Sequence, residues 1–167
     1  MQHLGKINKR QIFYIRPDVG EIWFDELPTE NWLALPISDD TNIQSFSQLA
    51  DKCIDNNVLY MCSLGQSCEL IHDIFDSVIV EKKITNGESV DSTEDFESSP
   101  MTTWHYNFDE GFWYALTIAH DPYKIIDKVV CIDYTRGVKK YLIELLNKLH
   151  QGWLLSDNEI QLPNYYD

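Results

Sequence analysis

Apolar residues along the chain fall into two rhythms, short unbroken runs and stripes repeating every three or four positions. The runs read as strands. Ile12-Phe13-Tyr14-Ile15 and Glu21-Ile22-Trp23-Phe24 predict short β segments around a turn at Pro17-Asp18-Val19-Gly20. Trp32-Leu33-Ala34-Leu35-Pro36-Ile37 is apolar throughout, the pattern of a strand covered on both faces, and Pro36 places its end or a sheet edge there. Val58-Leu59-Tyr60-Met61-Cys62 and Val129-Val130-Cys131-Ile132-Asp133 are two further buried strands.

The stripes read as helices. Over 42–56, Ile43, Phe46, Leu49, Ala50, Cys53 and Ile54 share one side, behind a capping box of Thr41 and Gln44. Over about 67–78, Cys68, Ile71, Phe75 and Val78 form the inward stripe; Val78-Ile79-Val80 reads equally well as a following strand. Asn107 and Glu110 cap a helix over 108–120 that turns Phe112, Ala115, Leu116 and Ala119 inward. Asp121-Pro122 stops it. The last helix, 137–151, carries Val138, Tyr141, Leu142, Leu145 and Leu149, with Gly152 placed to cap its end. Beyond it, Trp153-Leu154-Leu155 and Tyr165-Tyr166 are apolar enough to pack back onto the body.

Strands alternating with helices define an α/β fold. Its expected form is a mainly parallel sheet with helices on both faces and a short N-terminal β excursion. One domain spanning 1–167 accommodates the chain, a length that buries about 68–70% of the unfolded surface. Residues 85–100 are polar and acidic with almost no apolar anchor, and predict a mobile loop.

Charge sharpens the picture. The net charge is −14, and residues 21–100, with 17 acidic and 3 basic side chains, carry the whole excess. Such a surface repels nucleic acid and anionic membranes and attracts a basic protein. No apolar run reaches the roughly 18 residues of a membrane span, and Met1-Gln2-His3-Leu4-Gly5-Lys6 leads into no apolar signal region. The expected location is the cytoplasm. No pair of the cysteines Cys53, Cys62, Cys68 and Cys131 is spaced as C-x-x-C, and their apolar neighbours mark most of them as buried packing groups.

Chemistry concentrates after the strand ending at Cys62. Glu69, His72, Asp73 and Asp76 stand at i, i+3, i+4 and i+7, on one side of the predicted helix. Two metal ligands could come from His72, Asp73 and Asp76, with His105 or Asp133 as a third. A thiolate–imidazole pair could form between Cys68 and His72, oriented by Asp73 or Asp76. Against both, this spacing is also that of a solvated helix face, and Cys68 fits the apolar stripe. Gly65 precedes the helix, but the fingerprints of phosphate- and dinucleotide-binding loops are missing. In Thr102-Thr103-Trp104-His105, Trp104 reads as a β-segment core residue or as an aromatic anchor for a partner.

The order of these pieces resembles an uncharacterised bacterial α/β domain family. The resemblance rests on Gly65-x-x-Cys68, then Asp73-x-x-Asp76, then Met101-Thr102-Thr103-Trp104-His105 and the helix motif Glu110-x-Phe112-Trp113-Tyr114-Ala115. It covers roughly residues 32–135, with a longer acidic loop and with Leu64 before Gly65 where the family pattern has tryptophan. It implies the fold and nominates Cys68, Asp73, Asp76, Trp104 and His105, and it brings no reaction with it.

Two functions are therefore expected to compete. The leading one is a non-enzymatic, cofactor-free acidic binding protein of the immunity type, neutralising a basic toxin or effector through Glu69, His72, Asp73, Asp76, Trp104 and His105. The alternative is a small hydrolase, using Cys68, His72 and His105, or a metal held by His72, Asp76 and His105.

Overall fold

The computed structural model describes residues 1–17, 22–87, 99–135 and 137–153. Six strands form one sheet: β1 (Gln2–Ile7), β2 (Arg10–Ile15), β3 (Trp32–Ile37), β4 (Tyr60–Leu64), β5 (Met101–His105) and β6 (Lys128–Asp133). The helices are α1 (Ile43–Asp55), α2 (Cys68–Thr85), α3 (Phe108–Thr117) and α4 (Lys139–His150). Across the sheet the strands run β1-β2-β6-β3-β4-β5; β1 is antiparallel to β2, and every other pairing is parallel. The expected α/β architecture with its N-terminal β excursion is therefore present.

Alternation along β3 assembles the layers. Leu33, Leu35 and Ile37 pack with Phe112 and Ala115 of α3 and Leu142 and Leu145 of α4. Trp32 and Ala34 pack on the other side with Phe46 and Leu49 of α1 and Ile71 and Phe75 of α2. A strand covered on both faces has no polar side, which is why β3 reads as an unbroken apolar run.

Several local expectations are corrected. Pro36 is the penultimate residue of β3, so it marks the strand's end as expected, but β3 is a central strand and not an edge. Trp32 and Ser38 bond to β4 through their backbones, so even-numbered residues of β3 face that strand. Pro36 thus turns its donorless nitrogen toward β4, where the matched register skips from Ala34 to Ile37. The expected strand at 21–24 is instead a 3₁₀ helix, Ile22–Glu26. Trp23, Phe24 and Leu27 all enter the same core, which a helical turn allows and strand alternation forbids. The cap of α1 is Asn42, one residue beyond Thr41, its side chain accepting from the Ser45 amide at 3.3 Å, and Ile43 is exposed. Residues 78–80 continue α2, with Val78 and Ile79 buried side by side. In α4 the inward ridge uses Leu146 in place of the exposed Tyr141.

β1 was not anticipated. It joins β2 through Asn8 and Lys9, both at positive φ (46° and 71°), with Ile7 opposite Arg10. This is a two-residue hairpin turn without the usual glycine. At the other end, Gly152 (φ 83°) closes α4: its amide donates to Leu149 O and that of Trp153 to Lys148 O, both at 3.0 Å. Of the expected mobile loop, 85–87 are the end of α2 and the turn after it, and 88–98 lie outside the described residues, as do the turn at 18–21 and the tail beyond Trp153.

Candidate functional site

The turn between β4 and α2 is built around Gly65. At φ 96°, any Cβ there would sit 2.4 Å from the Ser38 carbonyl oxygen. The two turns interlock, the Gln66 amide donating to Asp39 Oδ1 at 3.0 Å and the Ser67 amide to Ser38 O at 3.1 Å. Only glycine permits that approach. Cys68 is thereby placed as the first residue of α2, just after a strand and a tight turn.

The thiol of Cys68 is fully buried. Burial pushes its pKa up to about 11, although the backbone N–H groups of Glu69, Cys68 and His105 pull the other way. At neutral pH it is a thiol and not a thiolate. Cys53, Cys62 and Cys131 are buried too, and each is pushed up by burial.

The polar face of α2 lies against the edge strand β5, rung by rung. Tyr106 donates its hydroxyl to Glu69, Trp104 packs against His72 at a tilt of 56° with ring centroids 4.4 Å apart, and Thr102 Oγ1 donates to Asp76 Oδ1 at 2.6 Å. Residues 102, 104 and 106 recur at the strand period of two, while 69, 72 and 76 recur at the helix period. The two repeats match over the length of contact. His72 also lies 3.3 Å from Asp73 and 3.5 Å from Asp76. Its side chain is only 14% exposed, while those of Asp73 and Asp76 are 70% and 48% exposed.

His105, next along β5, points the other way. Its Nδ1 is 3.5 Å from Glu110 Oε1 and its ring 4.8 Å from that of Tyr114, both on α3. Burial lowers its pKa below the usual 6.5, with the Glu110 carboxylate opposing that shift. Its Nε2 and the nearby Thr103 Oγ1 are buried without a hydrogen-bond partner. Gly111 makes room for this packing: a Cβ there would lie 2.1 Å from Leu64 Cδ2 and 2.7 Å from His105 Cβ.

The structure thus gathers Glu69, His72, Asp73, Asp76 and Trp104 on one surface and sets His105 on the opposite side of the strand. Asp133 is farther away, because β6 stands three strands from β5, about 14 Å across the sheet. Its carboxylate accepts from Tyr14 Oη (2.8 Å), the Thr135 amide and hydroxyl (2.8 and 2.6 Å) and the Val138 amide (3.1 Å). Those donors hold its pKa low against burial. Among the described residues, no three His, Cys, Asp or Glu side chains come together in a way suited to a metal ion.

Strand order reverses between β3 and β6, the crevice where open α/β sheets commonly take ligands. Here Asp39 and Asp40 follow β3 and Asp133 ends β6. Carboxylates at that position disfavour phosphate.

The model of a domain of unknown function, DUF7684, matches residues 12–150. The chain belongs to this family. No curated protein and no solved structure matches the chain. The DUF7684 match takes in β3 to β6, the described helices α1 to α4 and β2 from Ile12 onward, and leaves out β1. The α2–β5 surface lies wholly within it, and the family carries no activity to transfer. No described helix is long and apolar enough to cross a membrane.

Three contacts escaped sequence reasoning: Glu110 with His105, and the Thr102–Asp76 and Tyr106–Glu69 rungs. The signal for the rungs was present as the even-numbered alternation of 102, 104 and 106 beside an i, i+3, i+7 stripe in a β–α–β unit. Nothing in the spacing marked Glu110 as more than a capping residue.

Proposed function

We propose that this DUF7684 protein is a non-enzymatic binding protein whose acidic α2–β5 face captures a basic protein, in the manner of an immunity protein that neutralises a toxin or effector. The observation that carries the reading is the composition of this one face. Trp104 remains 39% exposed, beside the carboxylates of Asp73 and Asp76, whose side chains are 70% and 48% exposed. An aromatic anchor ringed by charge is the usual make-up of an energetic centre in a protein interface. The net charge of −14 adds long-range attraction for a basic partner.

The chemistry on either side of β5 supports binding over catalysis. Cys68 is a buried thiol, and His72 and His105 are separated by the strand that carries Trp104, so they converge on no common atom. The proposed face consists of Glu69, His72, Asp73, Asp76 and Trp104, with His105 left to α3. The test is affinity capture from the source cell with the tagged full chain. Recovery of a basic protein by the wild type, lost with Trp104→Ala, is the expected result. Equal recovery with that variant, or recovery of no specific protein, overturns the reading.

A further inference from the structure

The parity of β5 determines what its outer side offers. The Met101 amide donates to Leu59 O at 3.3 Å, so Met101, Thr103 and His105 direct their backbone groups toward β4. Thr102 and Trp104 direct theirs away from the sheet. Among the described residues, no strand pairs with β5 on that side. The same two residues send their side chains to α2, where Thr102 meets Asp76 and Trp104 covers His72. The backbone groups of Thr102 and Trp104, which have no strand partner among the described residues, the exposed indole and the carboxylates of Asp73 and Asp76 therefore line one edge.

We propose that this edge binds its partner by strand addition: an extended segment of the partner pairs with β5 and places an arginine beside Trp104, within reach of Asp73 and Asp76. The inference rests on the binding reading above and specifies its partner chemistry. Backbone pairing at an open edge supplies affinity, and alternate side chains supply specificity. Charge complementarity selects a cation. The lysines of α2 lie at its far end, where Lys82 pairs with Asp51 and Asp55 and Lys83 is buried. Among the described contacts the His72 imidazole, 3.3 and 3.5 Å away, is the only basic group that touches Asp73 and Asp76, and the outer side of Asp73 is left to an incoming cation. A guanidinium satisfies two needs at once, lying on an indole face and bonding a carboxylate with its planar fork.

The probe is a short peptide alternating valine and arginine, titrated into the full chain labelled with nitrogen-15. Saturable shifts of the Thr102 and Trp104 amide resonances are expected. Methylating alternate backbone nitrogens of the peptide should weaken binding about tenfold or more, and replacing its arginines with glutamine should do the same. Asp73→Asn, which leaves the Thr102–Asp76 hydrogen bond in place, should reduce the preference for arginine over glutamine. Equal binding of the methylated peptide would overturn strand addition while leaving the acidic-face reading intact. Equal binding of the glutamine peptide would overturn the arginine specificity. No binding of the arginine peptide at low salt would overturn the inference alone where the full chain still captures a basic protein through Trp104, and would overturn the reading beneath it too where that capture also fails.

Discussion

His105 shows how one side chain can link a buried contact to solution pH. Its pKa is lowered by burial, more than Glu110 restores it, so the unfolded chain takes up a proton at higher pH than the folded one. The contribution to stability is therefore fully present above the unfolded value of 6.5 and declines as pH falls through it toward the folded value. A His105→Gln variant should lose this part of the slope between about pH 7 and pH 5, seen as the difference between the two denaturant-midpoint profiles. Parallel profiles would mean that the imidazole stays unprotonated in both states or protonates equally in both. Gly111 makes the neighbouring case. In a helix, Gly→Ala ordinarily gains about 1 kcal/mol. Here the new Cβ would lie 2.1 Å from Leu64 Cδ2, and overpacking of that kind costs about 1–3 kcal/mol. The steric term should win, so Gly111→Ala is expected to lower the denaturant midpoint; an unchanged or higher midpoint would show that Leu64 moves aside at little cost.

At the scale of elements, α2 and β5 act as one unit, joined by matched repeats. The joint distinguishes two acids that look equivalent in sequence. Asp76 accepts the Thr102 hydroxyl at 2.6 Å and is half-buried, while the Asp73 side chain is 70% exposed and its carboxylate touches only its neighbour His72 among the contacts described. Asp73→Ala should stay within about 0.5 kcal/mol of wild type, as exposed substitutions do. Asp76→Ala should cost about 1–2 kcal/mol, because it removes a charge-assisted hydrogen bond and leaves the Thr102 hydroxyl to find another partner. Urea midpoints of the two variants decide the matter, and equal losses would refute the distinction. On the opposite face of β5 the described polar and ring contacts with α3 centre on His105, which meets Glu110 and Tyr114, and the core there is held by apolar packing of Phe112, Ala115 and Leu116.

For the whole molecule, charge and topology act together. The basic residues Lys6, Lys9, Arg10 and Arg16 belong to or adjoin the β1–β2 hairpin at one sheet edge, whereas α2 and β5 form the other edge. The edge that presents Trp104 therefore lies across the sheet from this basic cluster. Association with a basic partner should slow steeply as salt rises from about 50 to 500 mM, because the Debye length shrinks below the range of steering, while dissociation changes much less. Stopped-flow association rates over that range provide the check. A salt-independent association rate would remove electrostatic steering from the account.

The sequence determined what depends on local spacing. Apolar runs located β3, β4 and β6, and three-and-four stripes located the helices with most of their buried residues, among them Phe46, Ile71, Phe75, Phe112 and Leu142. The helix and strand periods fix which residues share a side, so these features were legible without coordinates. What each side meets was decided only by the tertiary structure. The helical face of Glu69, His72, Asp73 and Asp76 was visible, but its partnership with Thr102, Trp104 and Tyr106 required strand order to set β5 beside α2. Trp104 and His105 are adjacent in sequence, yet the pleat sends one to α2 and the other to α3. Pro36 is tolerated in a central strand because its donorless nitrogen falls where the β3–β4 register skips, and residues 22–26 coil into a 3₁₀ turn because Trp23, Phe24 and Leu27 all enter one core; both outcomes depend on neighbours distant in sequence.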